Sequence, residues 1–253
     1  MARQKGVIKL RGKIGDYTFY KSKEDGFLAR EKGGVDANRI KTDPNYARTR
    51  ENGAEFGRAG NATKLLRKAL RAMLFNVADG RMTSRLMAEM VKVIKADSTS
   101  QRGQRNVIDG EADLLKGFEF NVNAKLYGSF LAPFAAAIER TTGKLSVAIP
   151  AFVPEDTIEI PPAATHFMLN SIGAEIDFES GTYVVNNASS PQIVIGPQTQ
   201  AAISLENAVT AASTHPLFLG FGINFYQQVN SLFYPLKNGF FNALALVEVD
   251  GGA

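Results

Sequence analysis

The spacing of apolar residues changes near residue 115, and this change limits the fold more than any other feature of the sequence. Between residues 45 and 97, apolar side chains recur at the spacing of one helix face, and the polar residues 98–115 follow. Between residues 116 and 253 they form short alternating runs separated by turn residues, a pattern that indicates strands. The sequence therefore predicts an α+β fold whose helices precede most of its strands.

Residues 1–44 are basic and predict a small β-meander followed by an arm. Asp25-Gly26 is a strong hairpin signal. Residues 32–44 are polar and broken by Gly and Pro, which is typical of a linker or an extended arm. A meander of this size has little core, so it must pack on another part of the chain or on a neighbouring copy. The short apolar runs expected to form its strands lie at residues 7–10, 17–20 and 27–29.

Residues 45–115 predict a helical hairpin and a linker. The first helix is expected over residues 45–76, just after Pro44, and the second over residues 77–97. The polar residues 98–115 then connect the helices to the strands. Glycines near one face of the first helix indicate either the close approach of another element or a helix that is interrupted. These glycines are Gly53, Gly57 and Gly60.

Residues 116–253 predict an acidic antiparallel β-sandwich. Several short strands with turn signals between them are typical of this architecture, and a barrel is the alternative. The strand rhythm resembles that of an immunoglobulin-type domain, although the Cys and Trp residues of a true immunoglobulin core are absent from the sequence. The expected fold is thus a small N-terminal β-meander and a helical hairpin, followed by an immunoglobulin-like antiparallel β-sandwich.

The net charge of +4 conceals two oppositely charged parts. Residues 1–105 contain 24 Lys and Arg against 11 Asp and Glu, and residues 106–253 contain 5 against 14, so the net charges are +13 and −9. Three interpretations of the basic part are open. It binds a polyanion such as nucleic acid, it docks on the acidic part of a neighbouring copy, or it is an ordinary solvated surface. The candidate contacts, including two aromatic residues able to stack on bases, are Arg3, Lys5, Lys9, Arg11, Lys13, Tyr17, Phe19, Arg48, Arg50, Arg58, Lys64, Arg67, Lys68 and Arg71.

Residues with catalytic or metal-binding chemistry are scarce in the sequence. It contains no Cys and two histidines, His166 and His215, which lie far apart and are interpreted as structural. The motifs of phosphate-binding loops, dinucleotide sites and serine hydrolases are absent. Glu175, Asp177 and Glu179 alternate on one strand and are interpreted as a solvated sheet face. The sequence therefore predicts a protein that is not an enzyme and that uses no cofactor or metal.

The distribution of charges and apolar residues also predicts where the chain is made. Charged residues recur throughout the N-terminal segment, so we expect no cleaved signal peptide and synthesis in the cytoplasm. No window approaches the length of apolar sequence that spans a bilayer, so we expect no membrane insertion. The product would then join an assembled particle or leave the cell by a route without a cleaved signal.

Three segments carry a resemblance to other proteins: residues 5–21, 28–35 and 48–57. They resemble a group of uncharacterised bacterial proteins that share a domain of unknown function. These proteins have a Gly-punctuated N-terminal β-meander, a helical hairpin and a β-rich C-terminal domain. The resemblance extends over the whole chain and is strongest over residues 1–115. It implies a family but no activity, so no functional residue is transferred from it.

Two hypotheses about function follow from the charge division and the missing chemistry. The first is a structural protein that self-assembles as a tube, fibre, shell or secretion-apparatus component. Its basic N-terminal part would dock on a neighbouring copy, which makes the protein its own partner. The alternative is a non-enzymatic binding module that contacts a polyanion through residues 1–105 and a protein or glycan through the β-sandwich.

Overall fold

The chain forms two compact units, Met1–Arg50 and Glu51–Ala253. Their structure is a computed structural model that describes residues 2–22, 25–31, 33–236 and 240–252. The described residues of the first unit form strands β1 (Ala2–Arg3), β2 (Gly12–Ile14), β3 (Tyr17–Ser22) and β4 (Gly26–Glu31), helix α1 (Ala37–Thr42) and a 3-10 turn (Pro44–Tyr46).

The first unit is built around one antiparallel sheet with the strand order β1-β4-β3-β2. The prediction of a first strand at residues 7–10 is wrong, because this segment is a loop. Gln4 closes it: its side chain accepts the Leu10 N–H at 2.8 Å and donates to the Leu28 carbonyl at 3.0 Å. Gly26, the second residue of the predicted Asp25-Gly26 hairpin signal, has a φ of +76°. Residues 23–24, which precede this signal, lie outside the described residues.

The helices of the second unit follow the predicted order. Helix α2 (Ala47–Ala69) is continuous through Gly60, so the alternative of an interrupted helix is wrong. The short helix α3 (Arg71–Leu74) and helix α4 (Met82–Ala96) come next. Both long helices bury apolar side chains on one side, including Leu66 on α2 and Leu86, Met90 and Ile94 on α4.

The remainder of the second unit is mainly strand, with short helical turns between strands. The helical turns are a 3-10 turn (Ala112–Leu115), α5 (Leu126–Ser129) and α6 (Pro154–Thr157). The strands are β5 (Ala135–Glu139), β6 (Lys144–Ile149), β7 (His166–Asp177), β8 (Thr182–Ser189), β9 (Ile193–Val194), β10 (Ile203–Ala208), β11 (Leu217–Val229), β12 (Leu232–Pro235) and β13 (Ala243–Asp250). Helices and antiparallel sheet together confirm the α+β prediction.

The strands of the second unit form two antiparallel sheets. The smaller sheet has the order β10-β6-β5. The larger sheet has the order β12-β11-β7-β8, and within it β13 also pairs with β11 and β9 with β7. Its centre is the long pairing of β7 with β11, which runs from Glu175 opposite Leu217 to His166 opposite Tyr226.

The central strands of the larger sheet, β7, β11 and β13, are buried on both faces over most of their length. Leu244 and Leu246 of β13 share a core cluster with Leu66 of α2, whereas Ala245 and Val247 share one with the small sheet. A strand covered on both faces is apolar at successive positions, which explains the unbroken apolar run of β13. The helices and the small sheet therefore cover opposite faces of the larger sheet. The helical hairpin predicted within residues 45–115 thus contributes to the same core as the strands.

Candidate functional site

A groove opens along one side of helix α2 in the second unit. One wall consists of α2 side chains at helical spacing, including Arg58, Lys64 and Lys68. The loop at residues 106–108 and the turn after β7, which carries Phe178, complete the lining. The cavity has a volume of about 380 Å³, the size of a small-ligand site. This cavity is called the α2 groove below.

Arg58 has a structural role at one end of the α2 groove. Its guanidinium donates to the carbonyls of Gly103 at 2.7 Å and Arg105 at 2.9 Å, and to the Gln104 side chain at 3.2 Å. These bonds hold the loop that follows α4 against α2. The charge of Arg58 is thus directed at backbone carbonyls, and its side chain is half-buried.

The other basic residues of α2 are more available to a ligand. Lys64 and Lys68 are exposed, and the Lys68 ammonium lies 5.6 Å from the centre of the Tyr183 ring, within cation–π range. Arg67 is half-buried, and its Nε is buried without a hydrogen-bond partner. Arg71 is exposed beyond the end of the helix. Four of the sequence candidates therefore lie within about two helical turns of one another.

The basic residues of α2 also lack acidic partners. Within the described residues, Arg58, Lys64, Arg67, Lys68 and Arg71 form no ion pair. Elsewhere in the second unit basic residues are commonly paired, as in Arg85–Asp79, Lys92–Glu89, Arg102–Glu51, Lys116–Glu248, Arg140–Asp250 and Lys144–Glu206. Lys64, Arg67 and Lys68 share one face of α2, and their unpaired charges leave a positive potential that attracts anions.

The candidates within residues 1–50 lie in the small sheet, in its loops or in the first turn of α2, and several are engaged. Arg3 forms an ion pair with Asp25 at 2.8 Å, and the Arg11 guanidinium lies 5.3 Å from the centre of the Phe27 ring. Lys9 donates to the Gln4 carbonyl, and Arg50 donates to the Ile40 carbonyl at 2.7 Å and the Asp43 carbonyl at 2.9 Å. Phe19 is half-buried, and the remaining candidates of this unit, Lys5, Lys13, Tyr17 and Arg48, are exposed.

Apolar side chains are unusually exposed in the N-terminal unit. Leu28 is the single buried apolar side chain among its described residues. Val7 is fully exposed, Ile8 is 81% exposed and Ile14 is 58% exposed. The sheet therefore places very little apolar surface out of contact with water, although hydrophobic burial is the main stabilising contribution in small sheets.

A second exposed apolar surface lies in the second unit and was not predicted. The rings of Tyr127 and Phe134 stack with their centres 5.7 Å apart, and Leu131 between them in sequence is 58% exposed. The Leu131 N–H donates to the Thr157 carbonyl at 2.7 Å, which brings helix α6 alongside. Exposed acids lie on or just after α6, so the surface combines apolar and acidic side chains. This acidic apolar face comprises Tyr127, Leu131, Phe134, Glu155, Asp156, Glu159 and Ile160.

The acidic residues of β7 are not a uniformly solvated face, so that interpretation is wrong for Glu175. Glu175 is buried and accepts hydrogen bonds from the Ser213 hydroxyl at 2.6 Å and the Thr210 N–H at 3.0 Å. Burial alone would raise the pKa of Glu175, but these hydrogen bonds outweigh it and the pKa is lowered. The arrangement fastens the loop before β11 to β7.

The two histidines lie in separate surroundings. His166 is buried, with Nδ1 at 2.9 Å from the Thr165 hydroxyl and its ring centre 4.9 Å from that of Phe233. His215 is half-exposed, and its Nε2 is 4.0 Å from an Asp177 oxygen. Within the described part of the chain, no group of three or more His, Asp and Glu side chains is placed to hold a metal ion.

No family model matches the chain. No curated protein matches it either. Among solved structures, one similar chain comes from work on pH-induced modulation of Streptococcus parasanguinis adhesion by Fap1 fimbriae. Its TM-score is 0.24 at 12% identity, over 48% of this chain and 82% of that chain. A second similar structure is the human F-spondin reeler domain (fragment 1). Its TM-score is 0.22 at 12% sequence identity, over 54% of this chain and 99% of that chain. Similarity this low supports no conclusion about fold or function.

None of the helices in the described residues combines the length and the apolar composition that crossing a bilayer demands.

Proposed function

We propose that this protein is a structural protein that self-assembles, with the basic N-terminal unit of one copy docking on the acidic part of the next. Residues 116–253 would act as an immunoglobulin-like scaffold. The observation that carries the proposal is the exposure of the N-terminal unit, in which Leu28 is buried while Val7, Ile8 and Ile14 are exposed. A sheet that buries so little apolar surface is at best marginally stable until another surface covers it.

The acidic apolar face supplies a surface of suitable chemistry for this contact. Residues 1–50 contain 13 Lys and Arg against 6 Asp and Glu, so the N-terminal unit presents apolar side chains among excess positive charge. The acidic apolar face presents Tyr127 and Leu131 beside Glu155, Asp156 and Glu159. An apolar centre with complementary charges around it is the usual composition of a protein interface.

The use of two different surfaces determines the kind of assembly. A contact between unlike surfaces is heterologous, so each copy would offer one surface of each kind to its neighbours. Repetition of that contact closes into a ring or continues as a filament. The proposed product is therefore an extended or cyclic homopolymer.

The proposal is tested by sedimentation velocity and negative-stain electron microscopy over a range of protein and salt concentrations. The variant Ile8→Asp/Ile14→Asp places charge on two exposed apolar residues of the N-terminal unit and should shift the protein to monomers. Val184→Asp/Val194→Asp is the matched control, because these valines are similarly exposed on β8 and β9. A wild-type protein that is monomeric at low and high salt, even when concentrated, would refute the proposal.

A further inference from the structure

We propose that the α2 groove binds an organic phosphate with a planar or apolar body, of the nucleotide class. The residues that line this groove belong to the second unit, and none of them belongs to the acidic apolar face. The inference rests on the side chains that converge on the groove, which divide into a basic wall and an apolar wall.

The basic wall supplies the recognition of phosphate. Lys64 and Lys68 lie four residues apart, so they are neighbours on the same side of α2. Neither has an ion-pair partner among the described residues, and the groove lining contains no carboxylate. Arg67 and Arg71 continue the positive surface past the groove. Lysines placed in this way bind phosphate as point charges, without a requirement for one fixed geometry.

The apolar wall supplies the recognition of the ligand's body. Leu65 of α2, Ile108 of the loop after α4 and Phe178 of the turn after β7 line the same groove as the lysines, and together they are called the apolar wall. Phe178 is held by an edge-to-face contact with the buried Phe218 ring, with 6.2 Å between ring centres. A ring fixed in this way presents a stable surface against which a planar base can pack. Inorganic phosphate would use only the lysines, so the apolar wall distinguishes a nucleotide from a bare anion.

The polar residues of the groove are consistent with a ligand that also carries hydrogen-bonding groups. Asn61 is exposed on α2 and lines the groove. Asn106 is already committed, because it donates to an Asp109 side-chain oxygen at 2.7 Å and accepts the Asp109 N–H at 2.9 Å. The Asn61 amide is therefore the side chain that would contact heteroatoms of the base or sugar.

The test measures binding of ATP by calorimetry and of a fluorescein-labelled oligothymidylate by anisotropy, using the full-length protein. Lys64→Gln/Lys68→Gln should weaken both by about tenfold or more, because two phosphate contacts are lost. The same variant should reduce the slope of log affinity against log salt for the oligonucleotide by about 1.4. Lys95→Gln/Lys125→Gln removes the same charge from exposed lysines outside the groove and should change neither value.

Further measurements show whether the ligand is a free nucleotide or a single-stranded nucleic acid, and whether the proposal is wrong. Ile108→Glu adds a carboxylate to the groove and should abolish the binding of both ATP and the oligonucleotide. Tighter binding of the oligonucleotide assigns the site to single-stranded nucleic acid, and tighter binding of ATP assigns it to free nucleotides. Three results would overturn the proposal. They are no binding of ATP or the oligonucleotide, a loss of affinity in Lys95→Gln/Lys125→Gln equal to that in Lys64→Gln/Lys68→Gln, and competition by inorganic phosphate that is as effective as competition by ATP. If Lys64→Gln/Lys68→Gln changes assembly but leaves ligand binding unchanged, the proposal is overturned and the groove is instead a contact between copies.

Discussion

The carboxylate of Glu55 on helix α2 accepts a hydrogen bond from the backbone N–H of Gly103 at 2.8 Å. Glu55 is buried, so this bond is shielded from water. Together with the bonds from Arg58 to the carbonyls of Gly103 and Arg105, it fixes the loop after α4 to α2. The same loop continues to residues 106–108, which line the α2 groove. The shape of the groove therefore depends on contacts outside it.

Glu55→Ala is expected to destabilise the protein by about 1–3 kcal/mol, because the buried Gly103 N–H loses its acceptor. Glu55→Gln keeps an oxygen at the same position and should recover most of that loss. Chemical denaturation of both variants measures the difference, and hydrogen exchange at residues 101–108 should accelerate in the alanine variant. Equal free energies of unfolding for Glu55→Ala and the wild type would show that the bond does not anchor the loop.

Asp97→Asn is expected to weaken the same loop and to reduce its sensitivity to acid. Asp97 is buried and accepts the N–H groups of Thr99, Ser100 and Asn106 at 2.8–3.1 Å. Burial alone would raise the pKa of Asp97, but these hydrogen bonds hold the pKa well below its ordinary value of 3.8. Loss of one acceptor should cost about 1–3 kcal/mol at neutral pH.

The sign of the acid effect follows from the lowered pKa. The ionised Asp97 stabilises the folded state at pH values above its ordinary pKa of 3.8, and this stabilisation is lost as the pH falls toward the folded-state value. Urea unfolding between about pH 5 and pH 2 should therefore show a shallower decline for Asp97→Asn than for the wild type. Glu111→Gln, at an exposed residue of the same connection, is the control and should leave the pH dependence unchanged.

Two glycine-to-alanine variants are expected to change stability in opposite directions. Gly57 lies within α2, and apart from its chain neighbours and the adjacent helix backbone no atom lies within 4 Å of the position that an alanine Cβ would take, so Gly57→Ala should stabilise the protein by about 0.5–1 kcal/mol. A Cβ on Gly222 of β11 would collide with the Ala243 carbonyl and lie 3.2 Å from the Leu244 Cα. Gly222→Ala should therefore destabilise the protein by about 1–3 kcal/mol. Thermal unfolding of both variants measures these shifts, and destabilisation by Gly57→Ala would indicate that another surface packs against α2.

The sequence was most informative where local pattern determines structure. The helical spacing of Leu66, Leu70, Leu86 and Met90 predicted two helices, and both are present with somewhat different ends. The apolar run at residues 243–247 lies in strand β13, where covering both faces of the strand requires apolar residues at every position. The prediction failed at residues 7–10, where hydrogen bonds from one glutamine, Gln4, hold a loop in place of a strand.

The candidate surfaces were only partly predictable. The basic residues of α2 were identified from charge, but their lack of ion pairs depends on which acids the fold brings near them. The burial of Glu175 depends on Ser213, which is distant in sequence and close in space. The segment Leu131-Ala-Pro-Phe-Ala-Ala-Ala carried a signal for the acidic apolar face, since a stretch without polar residues must leave apolar atoms in water wherever it is not covered.

A charge exchange between the two proposed docking surfaces gives the most specific test of head-to-tail assembly. Lys5→Glu/Lys9→Glu/Lys13→Glu reverses three charges of the N-terminal unit and lowers the net charge of residues 1–50 from +7 to +1, and Glu155→Lys/Asp156→Lys/Glu159→Lys reverses the three charges of the acidic apolar face. Each triple variant alone should be monomeric in sedimentation velocity, because the exchanged side chains then face like charges across the contact.

Mixing the two charge-exchange variants should restore assembly, because each contact in the mixture can again join opposite charges. In the mixture, the N-terminal unit of each variant meets an oppositely charged face on the other variant, so the two must alternate along the polymer. The restored assembly should weaken with added salt, as we also expect for the wild type, since screening reduces attraction between exposed charges. Assembly by either variant alone, or a mixture that stays monomeric while the wild type polymerises, would show that copies do not associate through these two surfaces.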